Sequence, residues 1–291
     1  MRIVIIGAQG QVGSELTRRA PALGYEALAW DQAELDITDA AAVDRALAAS
    51  GAGLVINAAA YTAVDKAEQE PELAFAVNRD GPAHLATACD RLQIPLLHIS
   101  TDYVYDGRKP GPYVEDDPTA PLGVYGASKL AGDEAVRRLL PRHLILRVSW
   151  VFGLYGNNFV KTILRLARER EELRIVADQR GCPTYAGDIA DVLLELAGRI
   201  SAIDAGKLWG TYHYYGEPAT TWHGFTEAIV EEARRYETLP VQTIVPIATA
   251  DYPTPAARPA NSVLDCAKLT ARLGIQSRPW REGLKAMLAV R

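Results

Sequence analysis

The chain of 291 residues carries only three cysteines, Cys89, Cys182 and Cys266, far apart in sequence. An odd number without metal-type spacing argues against a disulfide framework or a cysteine metal centre and points to a reducing, cytoplasmic setting. Basic residues are in deficit, 31 Lys and Arg against 36 Asp and Glu, and a net charge of −5 lacks the footprint of a nucleic-acid binder. No apolar run approaches the ~18 residues of a membrane helix. Met1-Arg2 leads directly into Ile3–Ile6, too short for a signal-peptide core. Repeats, low-complexity tracts and linkers are also missing. What is left is an ordinary globular composition, 48% hydrophobic and 23% charged. Its length suits one large α/β domain or two smaller ones.

Ile3–Ile6 reads as a buried parallel strand ending at Gly7. Gly7-Ala8-Gln9-Gly10-Gln11-Val12-Gly13 follows and opens a helical pattern through Leu16 to Ala20. Glycines let such a turn take unusual backbone angles and bring main-chain N–H groups to a pyrophosphate at a helix N-terminus. The G-x-x-G-x-x-G spacing is one residue longer than the most familiar dinucleotide fingerprint, and glycines alone make only a tight loop. The strand before and the helix after favour the dinucleotide reading. A second strand, Glu26–Trp30, ends in Asp31, where an acidic residue meets the adenosine ribose; a surface carboxylate is the plain alternative. Asp36, next to Ile37, stands where a carboxylate can accept from adenine N6. Thr38 is predicted to cap a helix from Asp39 to about Ala49. The third strand, Leu54–Asn57, leads into Ala58, Ala59 and Ala60, small enough for close cofactor approach. The candidate cofactor contacts are therefore Gly7, Gln9, Gly10, Gln11, Val12, Gly13, Asp31, Asp36, Ile37 and the three alanines.

Pro71 suits the first position of a helix running to Ala88, and Ile94–Ile99 reads as a fourth strand delivering Ser100 and Thr101 to its carboxyl end. Ligands collect outside the carboxyl ends of parallel strands, which favours a functional Thr101. His143–Val148 is the fifth strand, and Asn158–Arg170, Leu173–Val176 and a helix near Asp188–Leu196 continue the alternation. From Gly206 the texture changes to clustered aromatics, a helix near Trp222 and the proline-rich stretch from Pro246 to Pro259. The pattern predicts an α/β fold: a doubly wound, Rossmann-type parallel sheet over residues 1–150, with sheet elements continuing to about 200. Residues 151–291 form a smaller substrate-binding lobe, interleaved with the sheet.

Between the fourth and fifth strands lies Tyr125-Gly126-Ala127-Ser128-Lys129. On a helix Tyr125 and Lys129 share one face a turn apart. An ammonium beside a phenol favours the phenolate, bringing a group that titrates near ~10 towards neutrality as a proton donor or acceptor. Such a pair also arises by chance in roughly one chain in three of this composition. Arg258, in a stiff proline-rich loop, is suited to clamp a diphosphate with its guanidinium; a surface salt bridge is its plain alternative.

The glycine loop, Thr101, Tyr125 and Lys129 together resemble an extended short-chain dehydrogenase/reductase. Longer stretches are similar to one branch of it, the dTDP-4-dehydrorhamnose reductases: Asn57 to Glu68, Ser100 to Tyr105, Gly156 to Thr162, Thr220 to His223 and Tyr252 to Ser262. They span nearly the whole chain. The resemblance implies NADH- or NADPH-dependent reduction of the C4 ketone of dTDP-4-dehydro-β-L-rhamnose to dTDP-β-L-rhamnose, a cell-surface polysaccharide precursor. It makes Tyr125 the general acid, Lys129 the group that lowers its pKa and holds the nicotinamide ribose, and Thr101 a hydrogen-bond donor to the ketone oxygen. It places Thr62, Val64, Tyr103 and Trp150 around the sugar, with Asp102 beside them in no assigned role. Dehydratases of similar fold carry Asp-Glu after the Thr; Asp102-Tyr103 here disfavours dehydration, whereas an epimerase on another nucleotide sugar stays open. So does a non-catalytic subunit of the same fold, against which the intact Thr101, Tyr125 and Lys129 set argues. Asp31, with no arginine close after it, tilts the cofactor towards NADH. Some relatives are described with magnesium at a dimer interface. Of the matching acidic regions this chain offers Glu15, Asp188 and Glu282, a set that argues against the metal and leaves a metal-free homodimer or a monomer.

Overall fold

The structure, a computed structural model, describes residues 1–200 and 208–290. The chain alternates strand and helix from the start: β1 (Arg2–Ile6), α1 (Gln11–Arg19), β2 (Glu26–Trp30), α2 (Ala40–Ser50) and β3 (Leu54–Asn57). Two short helices, α3 (Val64–Ala67) and α4 (Pro71–Phe75), run through a π turn at Ala76–Asp80 into α5 (Gly81–Leu92). Then come β4 (Leu96–Thr101), α6 (Val124–Leu139) and β5 (His143–Val148). Pro71 stands at the start of α4, as its missing N–H suits. The cap of α2 is Asp39, whose carboxylate accepts from Ala42 N at 2.9 Å, and not Thr38 as the sequence suggests. Thr38 is instead drawn to its neighbour: its N–H and hydroxyl both donate to Asp36 Oδ1, at 2.9 and 2.7 Å.

The remainder holds β6 (Val151–Phe152), α7 (Phe159–Glu169), β7 (Glu172–Val176), β8 (Arg180–Gly181), β9 (Thr184–Tyr185) and α8 (Ala186–Ile200). After them come β10 (Gly210–His213), β11 (Gly216–Glu217), β12 (Thr220–Thr221), α9 (Trp222–Ala233), β13 (Thr243–Ile247), α10 (Ala267–Leu273), β14 (Arg278–Pro279) and α11 (Trp280–Ala289). Six strands form the central sheet in the order β10-β5-β4-β3-β1-β2, all parallel. The sheet therefore reaches past the limit of about residue 200 read from the sequence, because Tyr212 and its neighbours pair with β5.

Alternate residues of β1 face opposite layers. Ile3 and Ile5 pack with Val12 and Leu16 of α1 and Ile189 and Leu193 of α8. Val4 and Ile6 pack with Val43 of α2, Leu85 of α5 and Val136 of α6. A separate apolar cluster joins α7, α9 and α11 through Ile163, Phe225 and Leu284, the centre of the smaller lobe.

Because β1 lies between β2 and β3, the crevice at its carboxyl end is a topological switch point, where open α/β sheets bind ligands. The loop there is packed to its limit. Gly7 has φ +74°, and a Cβ on it would stand 2.6 Å from Ala59 N; one on Gly13 would stand 2.1 Å from Gly7 O. Gly13→Ala is expected to lower stability by about 1–3 kcal/mol through overpacking, read as a lower urea midpoint at unchanged slope. An unchanged midpoint would mean that the turn yields freely.

Candidate active site

Two contiguous cavities open at this switch point. One, of about 310 Å³, is lined by Gly7, Gly10, Asp31, Asp36, Ile37 and the three alanines from Ala58 to Ala60. The other, of about 710 Å³, is shared between the sheet and the smaller lobe and holds Gln11, Val12, Thr62, Val64, Thr101, Asp102, Tyr103, Tyr125, Lys129 and Trp150. Gly10, Ala58 and Ala60 line both, so the two form one elongated cleft. The α1 N-terminus, with Gly10 at its cap and no acidic residue in its first turn, faces the junction. Of the candidate cofactor residues, Gln9 lines neither cavity and Gly13 serves the turn from beneath. Asp36 gives Oδ1 to Thr38, leaving Oδ2 for a ligand.

Helix α6 carries Tyr125 in its first turn and Lys129 one turn later. The helix start is pressed against the loop after β4: a Cβ on Gly126 would stand 2.2 Å from Tyr103 O. The Tyr103 and Tyr125 rings meet edge to face at 5.5 Å. Thr101 Oγ1 donates to Asp102 Oδ1 at 3.0 Å and accepts from Tyr103 N at 3.2 Å. Lys129 is buried and donates to Ile99 O at 2.8 Å. Asn78, which sequence reasoning passes over, ties the helix to the cofactor loop. Its amide donates to Ser128 Oγ and Tyr61 O, and its carbonyl accepts from Tyr61 N at 2.8 Å.

Titration behaviour departs from the expectation for the pair. The Tyr125 phenol is pushed up to about 12, chiefly by burial, with the Thr101 hydroxyl pulling it down and the Asp102 and Asp133 carboxylates pushing it up. The Lys129 ammonium, spent on Ile99 O, does not offset this. Lys129 is itself pushed down to about 8 by burial, against the pull of Asp133. The Tyr125 phenol therefore holds its proton near neutrality, the form that a general acid would need. Asp102 is pushed up to about 7 by burial, against the opposing pull of the Ser262 and Thr101 hydroxyls. Its Oδ2 has no partner, nor does Ser100 Oγ nearby.

Beneath the site, Arg147 Nε donates to Asp133 Oδ2 at 3.1 Å and its NH1 donates to Tyr105 Oη at 2.8 Å. Tyr105 Oη meets His213 Nε2 at 2.9 Å, so the network reaches β10. Trp150 lies at the rim with one face stacked on Trp222, which also lines the cavity and was not among the sequence candidates. Arg258 stands apart from both cavities. Its guanidinium donates to Asp65 Oδ2 at 2.8 Å and to Ala256 O at 3.3 Å.

The acidic residues that a magnesium interface would use do not fit a metal. Glu15 accepts from Arg18 and Arg19 at 2.7 and 2.9 Å, Asp188 from Arg278 at 2.9 Å and Glu282 from Lys285 at 2.8 Å. Among the described residues no group of three or more His, Cys, Asp or Glu is placed to hold an ion, and no helix is long and apolar enough to cross a membrane.

A family model described as the RmlD substrate binding domain matches residues 1–291. The chain is 48% identical over 290 residues to the dTDP-4-dehydrorhamnose reductase of Aggregatibacter actinomycetemcomitans, covering 99% of this chain and 98% of that one. The solved reductase of Clostridium acetobutylicum superposes with a TM-score of 0.93 at 36% identity, over 100% of this chain and 99% of that one. The Bacillus anthracis reductase, solved in complex with NADP, gives 0.92 at 36% identity and the same coverage. The identity runs through both halves that build the cleft, and the chain belongs to the dTDP-4-dehydrorhamnose reductase family.

Proposed function

We propose that this chain reduces the C4 ketone of dTDP-4-dehydro-β-L-rhamnose to dTDP-β-L-rhamnose. The observation that carries the reading is the convergence of Thr101 and a protonated Tyr125 in one wall of the larger cavity, with Lys129 behind them. A bound nicotinamide supplies the hydride. Tyr125 holds the proton that the ketone oxygen needs as negative charge develops on it, and the Thr101 hydroxyl orients that oxygen and shares the charge. The single Thr101 proton goes to Asp102 Oδ1 in this structure, with Tyr103 N donating to Oγ1, so the hydroxyl must turn that proton from Asp102 to the ketone oxygen as the substrate binds. Lys129 would contribute positive charge next to the phenolate left after proton transfer and, with the ammonium protons not given to Ile99 O, hold the ribose hydroxyls. Thr62, Val64, Tyr103 and Trp150 would surround the sugar.

Dehydration requires a second carboxyl beside Asp102. Tyr103 occupies that place, and burial and the Asp102 charge push its phenol further up, away from acid–base use near neutrality. An epimerase or a reductase of another nucleotide sugar is separated from the leading reading by competition: dTDP should displace the substrate, and UDP and GDP should not.

Tyr125→Phe is expected to cut kcat by about 10²–10⁴-fold while NADH binding, followed by fluorescence titration, changes little. A fully active Phe variant would remove Tyr125 from the reaction. Of the two nicotinamide cofactors we favour NADH, because Asp31 lines the smaller cavity with no arginine or lysine among its lining residues, although the Bacillus anthracis relative is solved with NADP. kcat/KM should therefore favour NADH over NADPH, and Asp31→Ser should narrow the ratio; an unaltered ratio would dissociate Asp31 from the 2′ position. Finally, a needed Lys129 ammonium with its pKa lowered to about 8 is neutral above that value. The profile of kcat/KM for NADH should fall as pH rises through about 8, and a flat profile from pH 7 to 9 would exclude that role.

A further inference from the structure

Trp150 has a backbone that a bulky side chain rarely adopts, φ +44°. Left-handed geometry at a non-glycine residue is strained and persists only where the surroundings over-determine it. Here they do. Trp150 O accepts from Thr184 N at 3.1 Å, and Ser149 Oγ donates to Cys182 O at 2.7 Å, which fixes the backbone on both sides of the indole. The backbone of Gly181 lies so close over the ring that a Cβ there would stand 2.3 Å from it. Trp222 stacks on Trp150 with ring centroids 3.5 Å apart and planes within 7°.

Trp222 is itself tied down. It opens α9 directly after β12, whose Thr220 pairs with Gly181. The Trp222 Nε1 proton goes to Gln179 Oε1 at 3.2 Å, and the buried Gln179 amide donates to Thr249 Oγ1 at 3.0 Å. Phe159 packs against the Trp222 ring at 4.5 Å. Both indoles and Phe159 line the larger cavity. A tryptophan whose indole N–H, neighbouring ring and backbone entry are all specified, but which remains half-exposed at a cleft, is more constrained than packing alone requires.

We propose that Trp222 is a positioning residue for the hexose of the nucleotide sugar: stacked on Trp150, it holds that indole in its strained backbone at the rim of the cleft. The proposal rests on the reading that Trp150 contacts the sugar. The β8–β12 pairing, through Gln179 and Gly181, is the mount on which both rings sit.

The test is steady-state kinetics of Trp222→Ala, Trp222→Phe, Trp150→Ala and the Trp150/Trp222 double alanine variant, with the near-ultraviolet circular dichroism of the stacked indoles. Trp222→Ala is expected to raise KM for the nucleotide sugar about tenfold while KM for NADH stays within about twofold. Trp222→Phe should recover most of that loss. The double variant should be no worse than Trp150→Ala, since the two act as a unit. A sugar KM unchanged in Trp222→Ala but raised in Trp150→Ala overturns the proposal and leaves the sugar reading standing. Equal rises in KM for sugar and NADH also overturn it, as a general loosening of the fold. An unchanged sugar KM in Trp150→Ala overturns both. Should Trp222→Ala fail to fold, Gln179→Ala removes the indole's hydrogen bond together with the one to Thr249, and Thr249→Ala removes the second without the first; a sugar KM raised about threefold in Gln179→Ala alone supports the proposal, and an unchanged one, or equal rises in both, overturns it.

Discussion

A lysine with only 2% of its surface exposed has to be compensated from within, and the compensation of Lys129 ties the sheet together. Burying an ammonium costs several kcal/mol unless partners replace its water. Ile99 O on β4 supplies one partner. One helical turn on, Asp133 supplies a buried countercharge, itself held by Arg147 of β5, which continues through Tyr105 to His213 of β10. α6 and three parallel strands thus meet in one polar seam below the reacting groups. Catalytic geometry and fold stability share the same contacts.

That seam also explains why the Tyr–Lys pair behaves differently from its simple picture. Two adjacent groups in water would settle their charge between themselves. In a dry site the cost of charging either group dominates, so both move towards neutrality, the phenol up and the amine down. The same burial that raises the phenol lowers the amine, so Tyr125 keeps its proton near neutrality. Bound cofactor and substrate alter the solvation of both groups, and the phenolate form is needed only after the proton has left.

Features of short range were legible in the sequence. The first five strands follow from largely apolar runs closed by Gly7, Asp31, Asn57, Thr101 and Ser149, and the G-x-x-G-x-x-G turn from its place between strand and helix. The spacing of Tyr125 and Lys129 needed only the helical period. Features carried by long-range pairing were not legible. β10 is four residues with a polar end, and its identity as a sheet strand comes from β5, some 65 residues earlier. Gly181 and Trp222 sit on or beside two-residue strands, too short for any periodicity, and only the stack reveals that they share a purpose. Asn78 joins partners 17 and 50 residues away. For Arg258 the sequence offers a phosphate or a carboxylate as partner, and in this structure its guanidinium donates to Asp65, 193 residues away. Asp39 displaced Thr38 at the α2 cap because both are good capping types and Asp36 captured the threonine first.

The late arrival of β10 bears on how the chain comes off the ribosome. β5 is buried along its whole length and lies between β4 and β10. Until residue 213 has been synthesised, its outer edge presents unpaired backbone groups on an apolar strand, the kind of edge that recruits other chains. At about 5–20 residues per second that interval lasts several seconds, and α8, finished only at Ile200, can cover one face of the sheet late in it but not its rim. A nascent chain of this design depends on the lobe that closes its sugar site also to close its sheet.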